Sequence, residues 1–493
     1  MNNRRFISLL LLIAMLAATS CGGDAPASDT TAASGDGTTA AAETQDPYGW
    51  ADLDLGGREI TILNVPLTLW NLNADLDFEA QTGEVLDDAI YDRNRDLEER
   101  YNFKMNVINH GGYHSEPLIN TAIQTDVVSG DGQYDAAYAC GSSVSSLITE
   151  GALMNLLELD ALRLTEPWWI QETMQSAMFG DNKYCYFGHS YFSLTAFDLT
   201  WCMYFNEDMV KSLGLDAPYQ LVRDGKWTLD RLREYTKAGA NLNGDESFAW
   251  KDNGNCVYGL SGYNNCALAH IVGAGGVFCE KDAKGQPQLV VSGDKMNTIC
   301  EKLAALYGTA GEFYLGATGT YTVAGGYMTA FYNRRALFLA AEVKTSVEMR
   351  ELDASFGVLP NPKLDDNQKD YRSFSLYSSP VLTIPVTSKH PEDTAAVLDA
   401  LSYLSYRDIL PIYYDVTVSQ KGLRNEDSIE MRDIIRGSIT YSADLSYGWS
   451  LSIATALRDT ITKGDGAVAS VIASNLSAAQ ANIDKMMTDL DLK

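Results

Sequence analysis

Basic charge is scarce in this chain: 37 lysines and arginines stand against 65 aspartates and glutamates, a formal net charge of -28 over 493 residues. Such a surface repels phosphate backbones and anionic headgroups. Nucleic acid is therefore not expected as a partner, and any membrane association must come from an anchor. Metal-ligand spacing is missing too. There is no C-x-x-C, no Cys/His arrangement suited to zinc, no H-E-x-x-H and no EF-hand loop, so no metal is expected. No Walker lysine occurs, and Gly273-Ala274-Gly275-Gly276 follows a helical stretch without G-x-G-x-x-G spacing. Gly188-His189-Ser190-Tyr191-Phe192 begins like G-x-S-x-G but lacks the final glycine that a tight elbow needs. Carboxylate pairs arise by chance among 65 acids and do not argue for a glycosidase. Neither a cofactor nor a catalytic residue is expected. No repeat of 20 to 50 residues is found.

What is present suits a folded, exported chain. Apolar residues make up 46% and aromatics 10%, enough to bury substantial cores over two or three domains. Arg4 and Arg5 give a positive start, and Phe6 to Leu16 is an apolar stretch of secretory-signal length, short for a transmembrane helix. Ala18-Thr19-Ser20-Cys21 then leads through small residues to a cysteine. That run resembles the lipobox of bacterial lipoproteins, whose cysteine is diacylated and becomes the new N-terminus. It departs from the pattern at Ala18, where leucine is usual. The resemblance implies a lipidated Cys21, two acyl chains making a stable anchor. A plain signal peptide with an incidental cysteine is the alternative. Gly22 to Asp46 has no large apolar residue and reads as a flexible tether. Seven cysteines remain: Cys140, Cys185, Cys202, Cys256, Cys266, Cys279 and Cys300. The odd number leaves at least one unpaired. Cys256 with Cys266 could still form a disulfide, and several free thiols would suit a reducing habitat.

Strand and helix signals alternate along the rest of the chain. Gly57 to Leu63 predicts a first strand, and Glu84 to Tyr101 a helix with Leu86, Ile90, Leu97 and Tyr101 on one face. Its acidic start and the arginines Arg93, Arg95 and Arg100 toward its end suit the helix dipole. Strands are predicted over Phe103 to Ile108, into Tyr138 after the Gly132-Gln133 turn, over Val257 to Leu260, Ala336 to Ala340 and Phe356 to Leu359. Ser143 to Gly151 and Pro391 to Tyr406 read as helices, and Phe278 to Val291 as a hairpin around Lys284-Gly285. This order indicates an α/β chain with mainly parallel sheets.

The same order resembles the maltose-type (family 1) extracellular solute-binding proteins of ABC importers, cluster by cluster. Asp131-Gly132-Gln133-Tyr134-Asp135, then Ser142 and Gly151-Ala152-Leu153, is similar to the family's "G-x-Y-D... G-x-L". Phe205-Asn206-Glu207-Asp208-Met209 resembles "Y-N-K-D-L". Tyr258-Gly259-Leu260 through Gly275-Gly276 resembles its strand, helix and Gly-Gly turn. Phe356-Gly357-Val358-Leu359-Pro360 resembles "Y-G-V-x-x-L-P", and Ile384-Pro385-Val386-Thr387-Ser388 the returning hinge strand. The resemblance implies a two-lobe periplasmic-binding-protein-like (type II) fold with hinge crossings near 192–199 and 376–384. Residues 1–20 would be the signal peptide and 21–46 the tether. The first lobe would take 47–197 and the return 380–425, and the second lobe 198–379 with C-terminal helices over 426–493.

The implied ligand lies between the lobes at strand C-termini. Asn64 follows the first strand, as a hydroxyl contact or a turn residue. Ser142 and Ser143 follow the third, as contacts or helix caps. Asp198 falls near a ligand-binding acid of the family, and an ordinary hinge salt bridge fits it as well. Asn264, Asn265 and Glu342 follow second-lobe strands. Tyr191, Tyr263 and Tyr377 sit beside crossings or strand ends, as wall or packing. Trp449, before the helix that runs to Gly464, matches the position of an aromatic platform and is also a candidate core residue. Trp168 and Trp169 open a helix that the family uses structurally. The implied partners are a small solute, most simply a sugar or oligosaccharide, and an ABC permease, with the protein acting as a monomer and not as an enzyme. Two alternatives remain: an exported glycoside-processing enzyme, which needs two facing carboxylates and turnover of a glycan, and a surface adhesion or scaffold lipoprotein, which needs no closable crevice.

Overall fold

Short apolar runs bounded by Gly and Asn assemble into two large sheets in the computed structural model, which describes residues 48–490 except 67–71, 73, 111–115, 320–321, 350–351, 353 and 416–424. The signal stretch, Cys21 and the tether lie outside the described residues. The folded unit is Trp50–Lys493. The strands of the two large sheets are β1 Arg58–Asn64, β2 Phe103–Asn109, β3 Ala136–Cys140, β4 Trp201–Asn206, β5 Tyr258–Gly262, β6 Phe313–Leu315, β7 Ala336–Glu342, β8 Phe356–Leu359 and β9 Pro380–Thr383. The first sheet has the order β9-β3-β1-β2 and the second β8-β4-β7-β5-β6.

Direction within each sheet follows from how the chain enters it. β1, β2 and β3 are mutually parallel, and β5 is parallel to both β6 and β7. Two strands run against their neighbours: β4 against β7, and β9 against β3. Each is the first strand after the chain has crossed from the other sheet, so it starts at the crevice edge and runs away from it. That edge therefore carries the C-terminal ends of β1, β3, β5 and β7 and the N-terminal ends of β4 and β9. The expectation of mainly parallel sheets fails only where a strand arrives from a crossing and where β8 joins β4 antiparallel. All seven residues of β7 are buried, as suits a central strand covered on both faces.

The crossings run side by side. The Leu376 N–H donates to the Leu199 carbonyl at 3.0 Å, Thr200 bridges Ser375, and Ser373–Ser375 pairs in parallel with Ile439–Tyr441. C-terminal helices Leu451–Thr462 and Val468–Asp489 pack on each other and on Asp294–Tyr307. Among the described residues no helix is long and apolar enough to cross a membrane.

Side chains fix these elements in ways the periodicity did not show. The helix Val85–Tyr101 buries Leu86, Ile90, Leu97 and Tyr101 as expected, and it buries Arg93 as well. Arg93 does not serve the helix end. It bonds the Leu76 carbonyl and the Ser405 hydroxyl at 2.9 and 2.8 Å. Trp168 and Trp169 both donate to Oδ1 of the fully buried Asp399 at 2.9 Å, and Arg163 Nη2 reaches its Oδ2 at 2.7 Å. The expected hairpin forms from Cys279–Lys281 and Pro287–Leu289. Gly285 at its tip has φ +70 and accepts from the Gly180 N–H at 2.9 Å. A Cβ there would stand 2.3 Å from the Asp181 nitrogen, so the close approach needs glycine. All seven described cysteines are free, so Cys256 and Cys266 form no disulfide. The Cys256 thiol faces the Tyr258 hydroxyl at 3.3 Å and the Cys266 thiol that of Tyr307 at 3.4 Å.

Candidate functional site

Because β5 and β7 are parallel, the loop after β5 sets Tyr263, Asn264 and Asn265 beside Glu342 at the end of β7. The Tyr263 hydroxyl donates to Glu342 Oε1 at 2.6 Å. Burial first, and the Glu342 charge second, hold the Tyr263 phenol well above its ordinary pKa, so it remains a donor. Its ring lies 5.0 Å from Trp201 and 5.1 Å from Tyr327 between centroids. Asn265 Oδ1 accepts from Arg458 Nη1 at 3.1 Å, while Arg458 Nε bonds Asp459 at 2.8 Å. Burial raises the phenol pKa of Tyr377, in the second crossing, against the opposing pull of the Arg458 charge alongside it. Half-buried Asn264 makes no side-chain hydrogen bond among the described residues.

β3 supplies the facing side. Cys140 Sγ and Ser142 Oγ lie 3.3 Å apart. Gly141 between them is pressed against the crossing, where a Cβ would stand 2.4 Å from the Tyr377 carbonyl oxygen. The structure thus brings together Ser142, Tyr263, Asn264, Asn265, Glu342 and Tyr377, drawn from both sheets and a crossing.

Four other expected contacts are engaged by neighbouring protein groups. Both amide hydrogens of buried Asn64 are used, on Asp75 and Asn109 oxygens at 2.9 Å each, so Asn64 pins the segment after β1. Ser143 accepts from Asn120 at 3.0 Å, and Asn120 in turn accepts the Cys140 N–H. It occupies the N-cap position of Val144–Thr149 without a side-chain capping bond. Asp198 is buried and takes the Tyr413 hydroxyl at 2.5 Å, which makes it a hinge tie in place of a wall. Trp449 is 2% exposed. Its indole stacks on Tyr447 at 4.5 Å, meets Phe179 edge-on at 5.4 Å, and donates to Met486 Sδ at 3.2 Å. A packed stack, not an open platform, surrounds it. Its edge reaches a recess of about 460 Å³ that Glu172, Arg372 and Asp444 also line. Tyr191 stacks on Phe197 at 5.4 Å and meets Tyr406 at a tilt, 5.2 Å away.

Trp201, Tyr327 and Arg458 belong to the cluster and were missed. Arg458 lies on an amphipathic helix whose periodicity is legible, but which polar position turns to the crevice is decided by packing. Trp201 is found only through the pairing of β4 with β7. Among the described residues no group of three acidic, His or Cys side chains could hold a metal. The two buried histidines are structural. Burial lowers His189 to about 4 and His270 to about 3, so both are neutral at ordinary pH.

No protein-family profile matches the chain, and no curated protein does. Solved structures do. An ABC substrate-binding protein from Listeria monocytogenes in complex with cycloalternan superposes with a TM-score of 0.53 at 13% identity, over 89% of this chain and 100% of that one. An ABC transporter solute-binding protein from Thermotoga lettingae bound with alpha-D-tagatose gives 0.52 at 12%, over 87% and 100%. The GacH receptor of Streptomyces glaucescens, solved unliganded and with acarbose, gives 0.51 at 12%, over 88% and 99%. The chain therefore has the two-lobe, type II periplasmic-binding-protein fold of these ABC solute-binding proteins.

Proposed function

We propose that this chain captures a carbohydrate in the crevice between its two sheets and hands it, unaltered, to an ABC permease. The observation that carries the proposal is the convergence of Ser142, Tyr263, Asn265, Glu342 and Tyr377 from both sheets on one crevice edge. Hydroxyl donors and acceptors beside aromatic faces suit a polyhydroxylated solute, whose C–H faces stack while its hydroxyls pair. The fold neighbours named above, captured with cycloalternan, tagatose and acarbose, support the same class. Contacts made with both lobes at once favour the closed form and shift the population toward it.

A thermal-shift screen of maltotriose, raffinose, tagatose, sorbitol and a peptide library tests the reading. A carbohydrate at a hundred times its Kd should add about 2.7 kcal/mol of apparent stability, and chromatography should recover it unchanged. Stabilisation by peptides alone would refute the proposal, and a cleaved glycan would replace it with an enzyme. We also propose that Cys21 carries the anchor. Cys21→Ala should move the protein from the membrane fraction to the medium, and an unlipidated wild-type N-terminus in mass spectra would defeat this second point.

A further inference from the structure

Two side chains at the crevice edge carry complementary hydrogen-bonding groups that are not bonded to each other. Trp201, the first residue of β4, is fully buried, and its indole N–H has no acceptor among the described residues. Glu342, the last residue of β7, is 5% exposed. Its carboxylate accepts one hydrogen bond, from Tyr263, and makes no ion pair among the described residues. The two residues are direct antiparallel partners, so their side chains leave the sheet on the same face. Tyr263 touches both, through its ring to Trp201 and through its hydroxyl to Glu342. A buried donor without an acceptor is costly to leave unfilled, and the carboxylate oxygen of Glu342 that Tyr263 does not bind keeps its capacity to accept. A hydroxyl group answers both, because it donates with its hydrogen and accepts with its oxygen.

We propose that Trp201 and Glu342 form a hydroxyl-reading pair, in which one solute hydroxyl donates to the free carboxylate oxygen of Glu342 and accepts from Trp201 Nε1. The inference rests on the carbohydrate reading and sharpens it. A solute must present an unmodified hydroxyl at this point, and an analogue with hydrogen there leaves both protein groups unpaired. An analogue with fluorine there accepts weakly and donates nothing. Discrimination by such a site is large because the missing group strands buried polar partners.

The test is a double-mutant cycle read by calorimetric titration, with maltotriose, raffinose, tagatose and sorbitol as probes. Trp201→Phe keeps an aromatic ring and removes the N–H. Glu342→Gln keeps the shape and removes the charge. Each should weaken the tightest probe about tenfold or more. The double variant should be little weaker than the worse single one, since both groups hold one hydroxyl. Should Trp201→Phe fold poorly, Glu342→Gln against the deoxy and fluoro analogues of that probe carries the test. The affinity gap between the hydroxyl-bearing probe and its two analogues should narrow by about tenfold relative to the wild type. Wild-type affinity in a folded Trp201→Phe or Glu342→Gln protein would overturn the pair and leave the carbohydrate reading standing. Fully additive losses would overturn the shared hydroxyl. A wild-type protein that binds none of the four probes would overturn the carbohydrate reading and the pair with it.

Discussion

Replacing Trp449 by alanine is expected to lower the stability of the unliganded protein by about 3–5 kcal/mol, the loss typical of a buried Trp truncation. The indole joins three parts of the fold: Tyr447 from its own segment, Phe179, which bridges Tyr184, and Met486 from the last helix. Removing it opens a void that none of these can fill without moving, and the adjoining recess would admit water to it. Affinity should change little once binding is measured on the folded fraction. A platform role demands the opposite, a loss of about thirtyfold or more in affinity with the unliganded midpoint unchanged. Denaturant titration and calorimetry of one variant separate the two. A Trp449→Ala protein as stable as wild type would show that the packed stack contributes nothing.

Asp399→Ala is expected to cost a comparable amount, about 3 kcal/mol or more. Its carboxylate takes both indole N–H groups of Trp168 and Trp169 on one oxygen and the Arg163 guanidinium on the other. Alanine strands all of them at once. Arg163 is a third exposed and can turn to water, which holds the loss toward the lower end of the range; the two indoles cannot. Asp399→Asn retains an acceptor for the indoles and should lose about half as much. Since the cluster at the crevice edge lies elsewhere, solute affinity should survive both changes. An Asp399→Ala midpoint within error of wild type would mean that the two tryptophans are held by packing alone.

The elements most legible in the sequence were those whose signal is local. The 3.6-residue period gave the helix ending at Tyr101, and the apolar run Phe356 to Leu359 coincides with β8. Parts of the crevice edge were legible for the same reason. A residue just past a parallel strand must emerge at its C-terminal end, and that placed Ser142, Asn265 and Glu342. Pairings between distant segments were not legible. Nothing near Trp201 in the chain announces Glu342, and nothing near Trp168 announces Asp399. Arg93 shows the converse failure. Its place toward a helix end invited a dipole explanation, while its guanidinium is spent on a carbonyl and a hydroxyl in the interior. Polar residues with strong local readings, Asn64 and Asp198 among them, were claimed by neighbours that only the folded chain supplies.

The free thiols bear on how such a chain matures. Six of the seven are buried and Cys279 is half-buried. Burial pushes Cys185, Cys266 and Cys300 up to about 12, which leaves roughly one molecule in 100,000 as thiolate at pH 7. Thiolate is the species that exchanges, so these three buried thiols are slow partners in disulfide chemistry once the chain has folded. The unfolded chain has no such protection. For these three thiols, vulnerability to cross-linking is therefore greatest in the interval between emergence and folding, and its length is set by the folding rate.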